Sequence, residues 1–262
     1  MYDSKTHFRS TYDNLKSEFS FQGNAISSLQ EWQSVFRPEV EKAIGLKNIE
    51  HDMEDHVPAA NHYQSEDTGS YVREKWTLLA EPTVPLPVYV LRPKNQNTPL
   101  PLVVTPHGHN HSSLYVGTTY TEEEQAHLID GERDIAVQAV NEGYVANYPP
   151  ETRAFGSTRA PEDVDLGVGS SCRTQLMHGL LVSRTPIGEC VCDMKRLIDW
   201  AIVNLNVDKD RIAMTGNSGG GTVTLYASAC DERISVAIPS SYFSTFNRYY
   251  KALRLQLWYL AF

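Results

Sequence analysis

Residues 214–223, MTGNSGGGTV, place a serine among glycines, after an apolar run and before a stretch with helical character. Gly216, Ser218 and Gly220 fit the pattern G-x-S-x-G, with Asn217 and Gly219 between them. This spacing is typical of a sharp turn that lifts a serine hydroxyl above the end of a strand, and small flanking residues let strand and helix pass closely. The helix start also offers N–H groups and a positive dipole end to an oxyanion. The pattern predicts Ser218 as a catalytic nucleophile; the alternative is a glycine-rich turn that binds a phosphate or only packs.

A second group of residues, TPHGHNHSS at 105–113, follows a short apolar strand and contains three histidines. Histidines that alternate along a strand point to one side, so His107, His109 and His111 could share a zinc ion. Gly108 and Asn110 interrupt such a strand, however, and no nearby aspartate or cysteine completes a ligand set. We therefore predict no metal and no cofactor.

The elements that carry these residues alternate between strands and helices from about residue 71. Two strand-like runs lie in 71–94, and further strands are predicted at PLPLVVTPHG, YVANYPP, DRIAMTG and RISVAIPSS. Helices are predicted at RDIAVQAVNEGY, at GGGTVTLYASAC and at TPIGECVCDMKRLIDWAIVNL, where Pro186 suits a first helical turn. This alternation predicts an α/β fold with βαβ units and a mostly parallel sheet flanked by helices.

Residues 1–70 have a different character. SLQEWQSVFRPEVEKAIGL predicts one amphipathic helix, or two that meet at Pro38, with Gly45 as the stop. HDMEDHVPAANHYQSEDTGS is polar without periodicity and predicts a linker or loop. We therefore divide the chain into a helical extension and linker (1–70), a core (71–246) and an atypical tail (247–262).

Composition narrows the classes of partner. The 262 residues carry a formal net charge of -9 and no block of basic residues, which argues against nucleic acid or an anionic membrane surface. No apolar run approaches the roughly 20 residues of a membrane helix. The polar start does not resemble a secretory signal, and the four cysteines form no CxxC pair, so we expect reduced thiols and a cytoplasmic location. The oligomeric state is left open.

From about residue 71 to 246 the chain resembles the α/β-hydrolase superfamily, and within it acetyl xylan esterase-like and dienelactone-hydrolase-like esterases. The motifs that carry the resemblance occur in the same order: PHGH, ETRAFGST, RLIDWA, VDKDRIAMTGNSGGG and CDERISVAIPSS. The helical N-terminus with Trp32 and Arg37-Pro38 resembles the leader segment of those esterases. The resemblance implies an α/β-hydrolase fold with Ser218 as the nucleophile of an acyl-serine mechanism.

The resemblance also implies the other parts of the site. The backbone N–H groups of His109 and Gly219 would form the oxyanion hole, and the side chain of His107 would then be structural. Gly108 and Arg153 belong to the loops beside the pocket; Arg153 could reach a substrate or be structural. Asp193 is expected to be a solvated or ion-paired carboxylate rather than an acid catalyst.

The acid and base of a triad are harder to place. In this fold they follow the serine along the chain, yet all nine histidines precede Ser218. Asp231 and Glu232 are the acids after it, and they are predicted at the wrong end of the sheet. The resemblance stops near Phe246, and NRYYKALRLQLWYLAF is expected to be an alternative end of a longer coding region, or else a short terminal helix. We therefore expect no triad acid or base in this chain, and no histidine within hydrogen-bond reach of the Ser218 hydroxyl.

The sequence thus predicts a serine carboxylic-ester hydrolase for small acyl esters such as acetylated carbohydrate, and predicts that this chain is truncated and impaired. Its partner would be a small-molecule ester. One alternative is a non-catalytic pseudoenzyme or fragment, which a serine-directed probe would not label. Another is an α/β-fold serine peptidase, although those usually carry a large propeller domain that 70 residues cannot form.

Overall fold

The computed structural model describes residues 2–108, 112–118, 121–149 and 151–243. This part contains one sheet in the order β1-β2-β3-β5-β4-β6-β7. Neighbours from β1 to β5 pair antiparallel, whereas β5, β4, β6 and β7 run parallel. The α/β class is confirmed, and the antiparallel half makes the sheet mixed rather than mostly parallel. The strands are β1 (Ala59–Asp67), β2 (Tyr71–Glu81), β3 (Val84–Pro93), β4 (Leu100–Val104), β5 (Val145–Tyr148), β6 (Val207–Asn217) and β7 (Ile234–Ser240).

Helices surround this sheet, and none in the described ranges is long and apolar enough to cross a membrane. The helices are α1 (Ser4–Asp13), α2 (Ile26–Ala43), α3 (Leu46–Asp52), α4 (Glu122–Gly131), α5 (Ile135–Asn141), α6 (Pro161–Asp165), α7 (Cys172–Leu181), α8 (Pro186–Asn204) and α9 (Gly219–Cys230). Helices α5, α8 and α9 follow the predicted alternation, and Pro186 stands in the first turn of α8 with Thr185 as its cap. In the described residues after 71, three helices that the sequence did not predict, α4, α6 and α7, lie in the connections.

The core lies on both faces of the parallel strands. Within β4, Leu102 and Val104 pack on one face with α3, α8 and α9, while Val103 packs on the other face with α5. Strands buried on both faces are continuously apolar, as LPLVV is. This arrangement fixes β4, β5 and β6 side by side, so the loops after their carboxyl ends meet at one edge of the sheet.

The predicted linker contains a strand, which corrects the interpretation of residues 51–70 as loop. Strand β1 pairs with β2 along nearly its whole length. All but one of its nine residues are exposed. An edge strand with solvent on both faces has no apolar alternation, and polar edges also discourage pairing with other chains. The sequence of β1 therefore lacks the alternation that would predict a strand.

Two of the N-terminal helices, α2 and α3, pack on the core. α2 is a single helix that continues through Pro38, so the two-helix alternative is wrong. Gly45 ends it with a φ of 74°, a left-handed conformation that favours glycine, as predicted. Arg37 donates from Nε to the carbonyl of Ala229 in the last turn of α9 (2.7 Å) and pairs with Glu232. The predicted tail at 247–262 lies outside the described residues.

Candidate active site

Ser218 occupies a one-residue turn between β6 and α9. Its φ of 58° and ψ of -115° are strained for a residue with a side chain, at a cost of about 1–3 kcal/mol. Its N–H donates to the carbonyl of Ser240 at the end of β7 (2.9 Å), and its carbonyl accepts the N–H of Thr222 (3.0 Å). The sheet on one side and the helix on the other therefore hold the strained conformation. The structure has the turn where the glycine pattern predicted it.

Gly216 and Gly220 explain the spacing of that pattern. A Cβ on Gly220 would lie 2.0 Å from the carbonyl oxygen of Pro106, and one on Gly216 would lie 2.6 Å from the same oxygen and from the backbone of Gly220. Any side chain at either position would collide with backbone atoms. The segment that we call the elbow, residues 216–220, therefore touches the segment after β4 directly.

Three segments meet at the carboxyl edge of the parallel strands, where ligands of open α/β sheets bind. His107 follows β4, Thr152 follows β5 and Ser218 follows β6. His107, Thr152 and Gly219 line one small cavity, so the structure brings two of the predicted site residues together. His109 lies outside the described residues, and the role of Gly219 as an oxyanion donor stays a prediction. The remaining lining residues are Phe155, Ile187, Cys190, Thr222 and Val223.

The imidazole of His107 is buried, and both its nitrogens are engaged. Nε2 accepts the backbone N–H of Thr152 (2.9 Å), and Nδ1 lies 2.5 Å from the carbonyl oxygen of Gly108. Because a backbone N–H only donates, Nε2 carries the lone pair and Nδ1 carries the proton. Burial lowers the pKa of His107, against the carbonyl contact, which keeps the ring neutral. Because both ring nitrogens form hydrogen bonds within the protein, His107 has no free nitrogen to bind a metal or to accept the proton of Ser218.

The rival metal site rests on residues that the structure covers only in part. His109 and His111 lie outside the described residues. Within the described ranges, no group of three or more histidine, cysteine, aspartate or glutamate side chains could hold a metal ion. The engaged ring of His107 argues in the same direction.

Arg153 is the centre of a buried ionic network that we call the arginine cluster. Its Nε and Nη2 donate to the two carboxylate oxygens of Asp193 (2.9 and 2.6 Å). Nη2 also lies 2.5 Å from Glu81, and Nη1 lies 3.4 Å from Glu189. Arg184 pairs with Glu81 as well (2.9 Å). The cluster joins the end of β2, the loop after β5 and the first turns of α8.

At this cluster the structure shows which of the two predicted states Asp193 has and which groups Arg153 binds. Asp193 is ion-paired but not solvated, since only 1 % of it is exposed. Burial raises its pKa to about 6 in spite of the charge and hydrogen bonds of Arg153. Arg153 does not line the cavity beside Gly219, and its guanidinium is bound by carboxylates. These ion pairs hold the loop in place.

A larger cavity, of about 880 Å³, is lined in part by other residues of the loop that follows β5. Arg153, Arg184 and Glu189 belong to its wall, together with residues of α7 and of the β2–β3 turn. No elbow residue lines it. Its size alone does not make it the reactive site, because the strained serine and the helix start that could stabilise an oxyanion lie elsewhere.

Thr152 and Phe155 are site residues that the sequence did not reveal. Thr152 donates to His107, and the ring of Phe155 meets the imidazole edge-on, with centroids 5.3 Å apart. Both lie about 45 residues from their partner in the chain. The resemblance included the ETRAFG segment, so the sequence predicts a loop beside the pocket. No local pattern predicts which atoms of that loop contact a histidine about 45 positions earlier in the chain.

Asp231 lies at the opposite edge of the sheet, as predicted. It precedes β7, whereas Ser218 follows β6, and these two strands run parallel. Its carboxylate pairs with Arg233 (2.6 Å). It cannot serve as a triad acid for Ser218 from that end of the strands.

Solved structures with the same architecture share little sequence with the chain. A Bacteroides fragilis protein assigned as an acetyl xylan esterase has a TM-score of 0.74 at 20% identity, and the match covers 89% of this chain and 59% of that one. A methylesterase has a TM-score of 0.59 at 17% identity, covering 90% and 45%. The acetyl xylan esterase from Paenibacillus sp. R4 has a TM-score of 0.54 at 19% identity, covering 90% and 70%. The chain has the α/β-hydrolase fold.

Sequence comparison adds one α/β-hydrolase family. Residues 185–260, less than a third of the chain, match the model of the X-Pro dipeptidyl-peptidase (S15) family. No curated protein matches the chain. The resemblance to α/β-hydrolase esterases is confirmed at the level of fold, and the matched proteins are hydrolases. The chain spans a little over half the length of the first neighbour and less than half of the second.

The base that would take the proton of Ser218 is the one part of the site that is not assigned to a residue. Acid and histidine follow the nucleophile in this fold, and the printed 262 residues have every histidine before Ser218. The prediction that no histidine reaches the Ser218 hydroxyl stays a prediction, because His109 and His111 lie outside the described residues.

Proposed function

We propose that the chain contains the nucleophile of a serine ester hydrolase for small acyl esters, such as acetyl groups on a carbohydrate. The observation that carries this proposal is the strained backbone of Ser218 between β6 and α9, because such strain persists where function needs it. The contact of the elbow with the segment after β4 supports it. Two of the structural neighbours are named acetyl xylan esterases and one is named a methylesterase, which suggests small acyl esters of carbohydrates as the substrate class.

The reaction would follow the acyl-serine route. Ser218 Oγ attacks the ester carbonyl while a base takes its proton, and the carbonyl becomes a tetrahedral oxyanion. The oxyanion would accept hydrogen bonds from the N–H of Gly219 and from the amide that follows Gly108. Collapse releases the alcohol and leaves an acyl-serine, which water then hydrolyses to the free acid.

The turnover of this chain depends on whether a base takes the proton of Ser218. His107 cannot take the proton of Ser218, since its Nε2 is occupied by Thr152 and its Nδ1 faces Gly108. A serine without its base keeps only about 10³–10⁴-fold catalysis over water, from the oxyanion hole and binding. We therefore expect this chain alone to turn over an activated ester well below about 1 s⁻¹, the low end for enzymes.

The test measures hydrolysis of p-nitrophenyl acetate by the purified 262-residue chain, with and without imidazole as an external base. After subtraction of the protein-free rate at the same imidazole concentration, we expect a slow rate that imidazole raises, and that Ser218→Ala removes in both conditions. Ser228→Ala, at the far end of the same helix, is the matched control and should leave the rate unchanged. Equal rates for the chain and Ser218→Ala would refute the proposal, while a rate above about 1 s⁻¹ without imidazole would show that the chain supplies its own base.

A peptidase is the second candidate, and the S15 match over residues 185–260 favours it. An amide releases its amine only when that nitrogen is protonated, so a peptidase depends on its acid–base histidine more than an esterase acting on an activated ester does. Release of p-nitroaniline from an Xaa-Pro anilide, dependent on Ser218, would support the peptidase. Ester hydrolysis without any such release supports the esterase.

A further inference from the structure

The end of β7 holds the backbone of Ser218. The N–H of Ser218 donates to the carbonyl of Ser240 (2.9 Å), one residue beyond the position where Asn217 pairs with Ser240 in the sheet. Ser218 has a φ of 58°, a conformation that a residue with a side chain keeps only where surrounding groups impose it. The carbonyl of Ser240 is therefore one of the groups that fix the backbone from which the nucleophilic hydroxyl projects.

Gly221 leaves room for this carbonyl. It follows the elbow in the first turn of α9, and a Cβ at this position would lie 2.4 Å from the Ser240 oxygen and 3.2 Å from the Cβ of Tyr242. Gly220 leaves the equivalent room for the segment after β4. The first turn of α9 thus contacts two segments, one after β4 and one at the end of β7. The second contact explains a glycine that the pattern G-x-S-x-G does not require.

The chain turns sharply after β7, and a pair of tyrosines holds this turn. Ser241 has a φ of 57°, again in the left-handed region. The hydroxyl of the next residue, Tyr242, forms a hydrogen bond with that of Tyr226 in α9, and Tyr226 packs partly buried against the core. The carbonyl of Ser240 and the nitrogen of Ser241 share one planar peptide unit. Rotation of Ser241 out of the left-handed region would therefore move either Tyr242 or that carbonyl.

We propose that Tyr226 and Tyr242 are positioning residues for the nucleophile: their hydrogen bond holds the turn at Ser241, and with it the Ser240 carbonyl that fixes the backbone of Ser218. The proposal rests on the proposed function, because it concerns the nucleophile of that reaction. It assigns the effect to the bond between the two hydroxyls and not to the volume of the rings. Both tyrosines act through the Ser240 carbonyl and not on the substrate.

The first test follows hydrogen exchange of the Ser218 amide by NMR, relative to the amides of β4, and does not depend on activity. Tyr226→Phe and Tyr242→Phe each remove one hydroxyl and keep the ring. Either variant should speed exchange of this amide about 2- to 10-fold, the range that one ordinary hydrogen bond supports. The double variant should speed it no further, because both changes remove the same bond. Tyr63→Phe, at an exposed position of β1, is the matched control and should change nothing. Unchanged exchange in both single variants, or additive effects, would overturn the proposal.

The second test displaces the Ser240 carbonyl itself. In Gly221→Ala the new Cβ cannot remain 2.4 Å from that oxygen, so the carbonyl or the helix must shift. We expect kcat for the Ser218-dependent hydrolysis of p-nitrophenyl acetate with imidazole to fall about 10- to 100-fold with little change in KM, because a misplacement of about 1 Å can cost about 100-fold. Gly179→Ala is the matched control, since its Cβ would lie 2.8 Å from another backbone carbonyl, that of Arg184, and it should keep the parent kcat.

The tyrosine variants complete the activity test, in chains whose thermal unfolding shows that they fold. Tyr226→Phe and Tyr242→Phe should lower kcat by up to about tenfold and leave KM unchanged, whereas Tyr63→Phe should alter neither. A parent-like kcat in Gly221→Ala, or in both phenylalanine variants, would overturn the proposal. A chain without any Ser218-dependent rate would instead refute the proposed function, and the exchange of the Ser218 amide would still decide whether the tyrosines hold its backbone.

Discussion

The elbow and the arginine cluster stand on the same edge of the sheet but are held by different forces. In the elbow, a Cβ added to Gly216 or Gly220 would lie only 2.0–2.6 Å from the carbonyl oxygen of Pro106, and the residues that leave this space free lie within five positions of the chain. The cluster depends on charges in a buried environment, supplied by four separate segments between residues 81 and 193. Close backbone packing demands glycine and therefore leaves a pattern in the sequence, whereas a buried charge network does not.

The largest expected effect comes from breaking the cluster. Arg153→Met keeps the length of the side chain but leaves Asp193 and Glu81 buried with one partner fewer. Removing one member of a buried pair typically costs about 3–5 kcal/mol, because the remaining charge is uncompensated. We expect a loss of that size in the free energy of unfolding at pH 7, measured by urea denaturation.

The exposed pair of Arg211 with Asp208 is the matched control. Arg211 is 57% exposed in its side chain, and surface pairs contribute about 0–1 kcal/mol. Arg211→Met should therefore cost less than about 1 kcal/mol. The double variant Arg153→Met with Asp193→Asn should lose less than the sum of its single variants. A loss for Arg153→Met no larger than that for Arg211→Met would mean that the cluster contributes no more than surface charge.

A pH series sharpens the comparison, because the elbow has no titrating group and the cluster has one with a raised pKa. The pKa of Asp193 is about 6 in the folded chain and 3.8 in the reference state. A raised pKa means that the stability from this group is fully present below pH 3.8 and is lost as the pH rises through about 6. Relative to Asp193→Asn, the parent chain should lose about 2 kcal/mol of unfolding free energy between pH 4.5 and pH 7.5.

Asp231 is the control for this pH series, because its pKa is shifted in the opposite direction from that of Asp193. Burial opposes its ionisation, but the hydrogen bonds and charge of Arg233 lower its pKa overall. Its contribution is present above pH 3.8 and is lost only as the pH falls through the lower folded value. The difference between the parent chain and Asp231→Asn should therefore be flat from pH 4.5 to 7.5. A flat difference for Asp193→Asn as well would contradict the raised pKa of Asp193.

The same contrast explains what the sequence could and could not predict. The strands after residue 71, the helices α5, α8 and α9 and the turn at Ser218 follow from local patterns: apolar runs of strand length, Pro186 in a first turn and glycines two residues either side of a serine. Strand β1 was missed because both of its faces are exposed. The hydrogen bond from Thr152 to His107 and the ion pair of Arg153 with Asp193 were missed because each joins residues 40 or more positions apart. Only the folded sheet brings such residues together.

The smallest expected effect tests the elbow itself. In Gly220→Ala the new Cβ would lie 2.0 Å from the oxygen and 2.9 Å from the carbon of the Pro106 carbonyl, so backbone must move. Overpacking of this kind costs about 1–3 kcal/mol. Alanine also favours the helix over glycine by about 0.5–1 kcal/mol, which offsets part of that cost. We expect a net loss of about 1–2 kcal/mol in the free energy of unfolding.

Gly169→Ala is the control, since a Cβ there meets nothing within 4 Å, and it should be neutral or slightly stabilising. Because the moving backbone is the Pro106–His107 segment, Gly220→Ala should also lower the Ser218-dependent rate with imidazole, whereas Gly169→Ala should not. A variant at Gly220 as stable and as active as the parent chain would show that β4 and the elbow are not in the contact that defines the site.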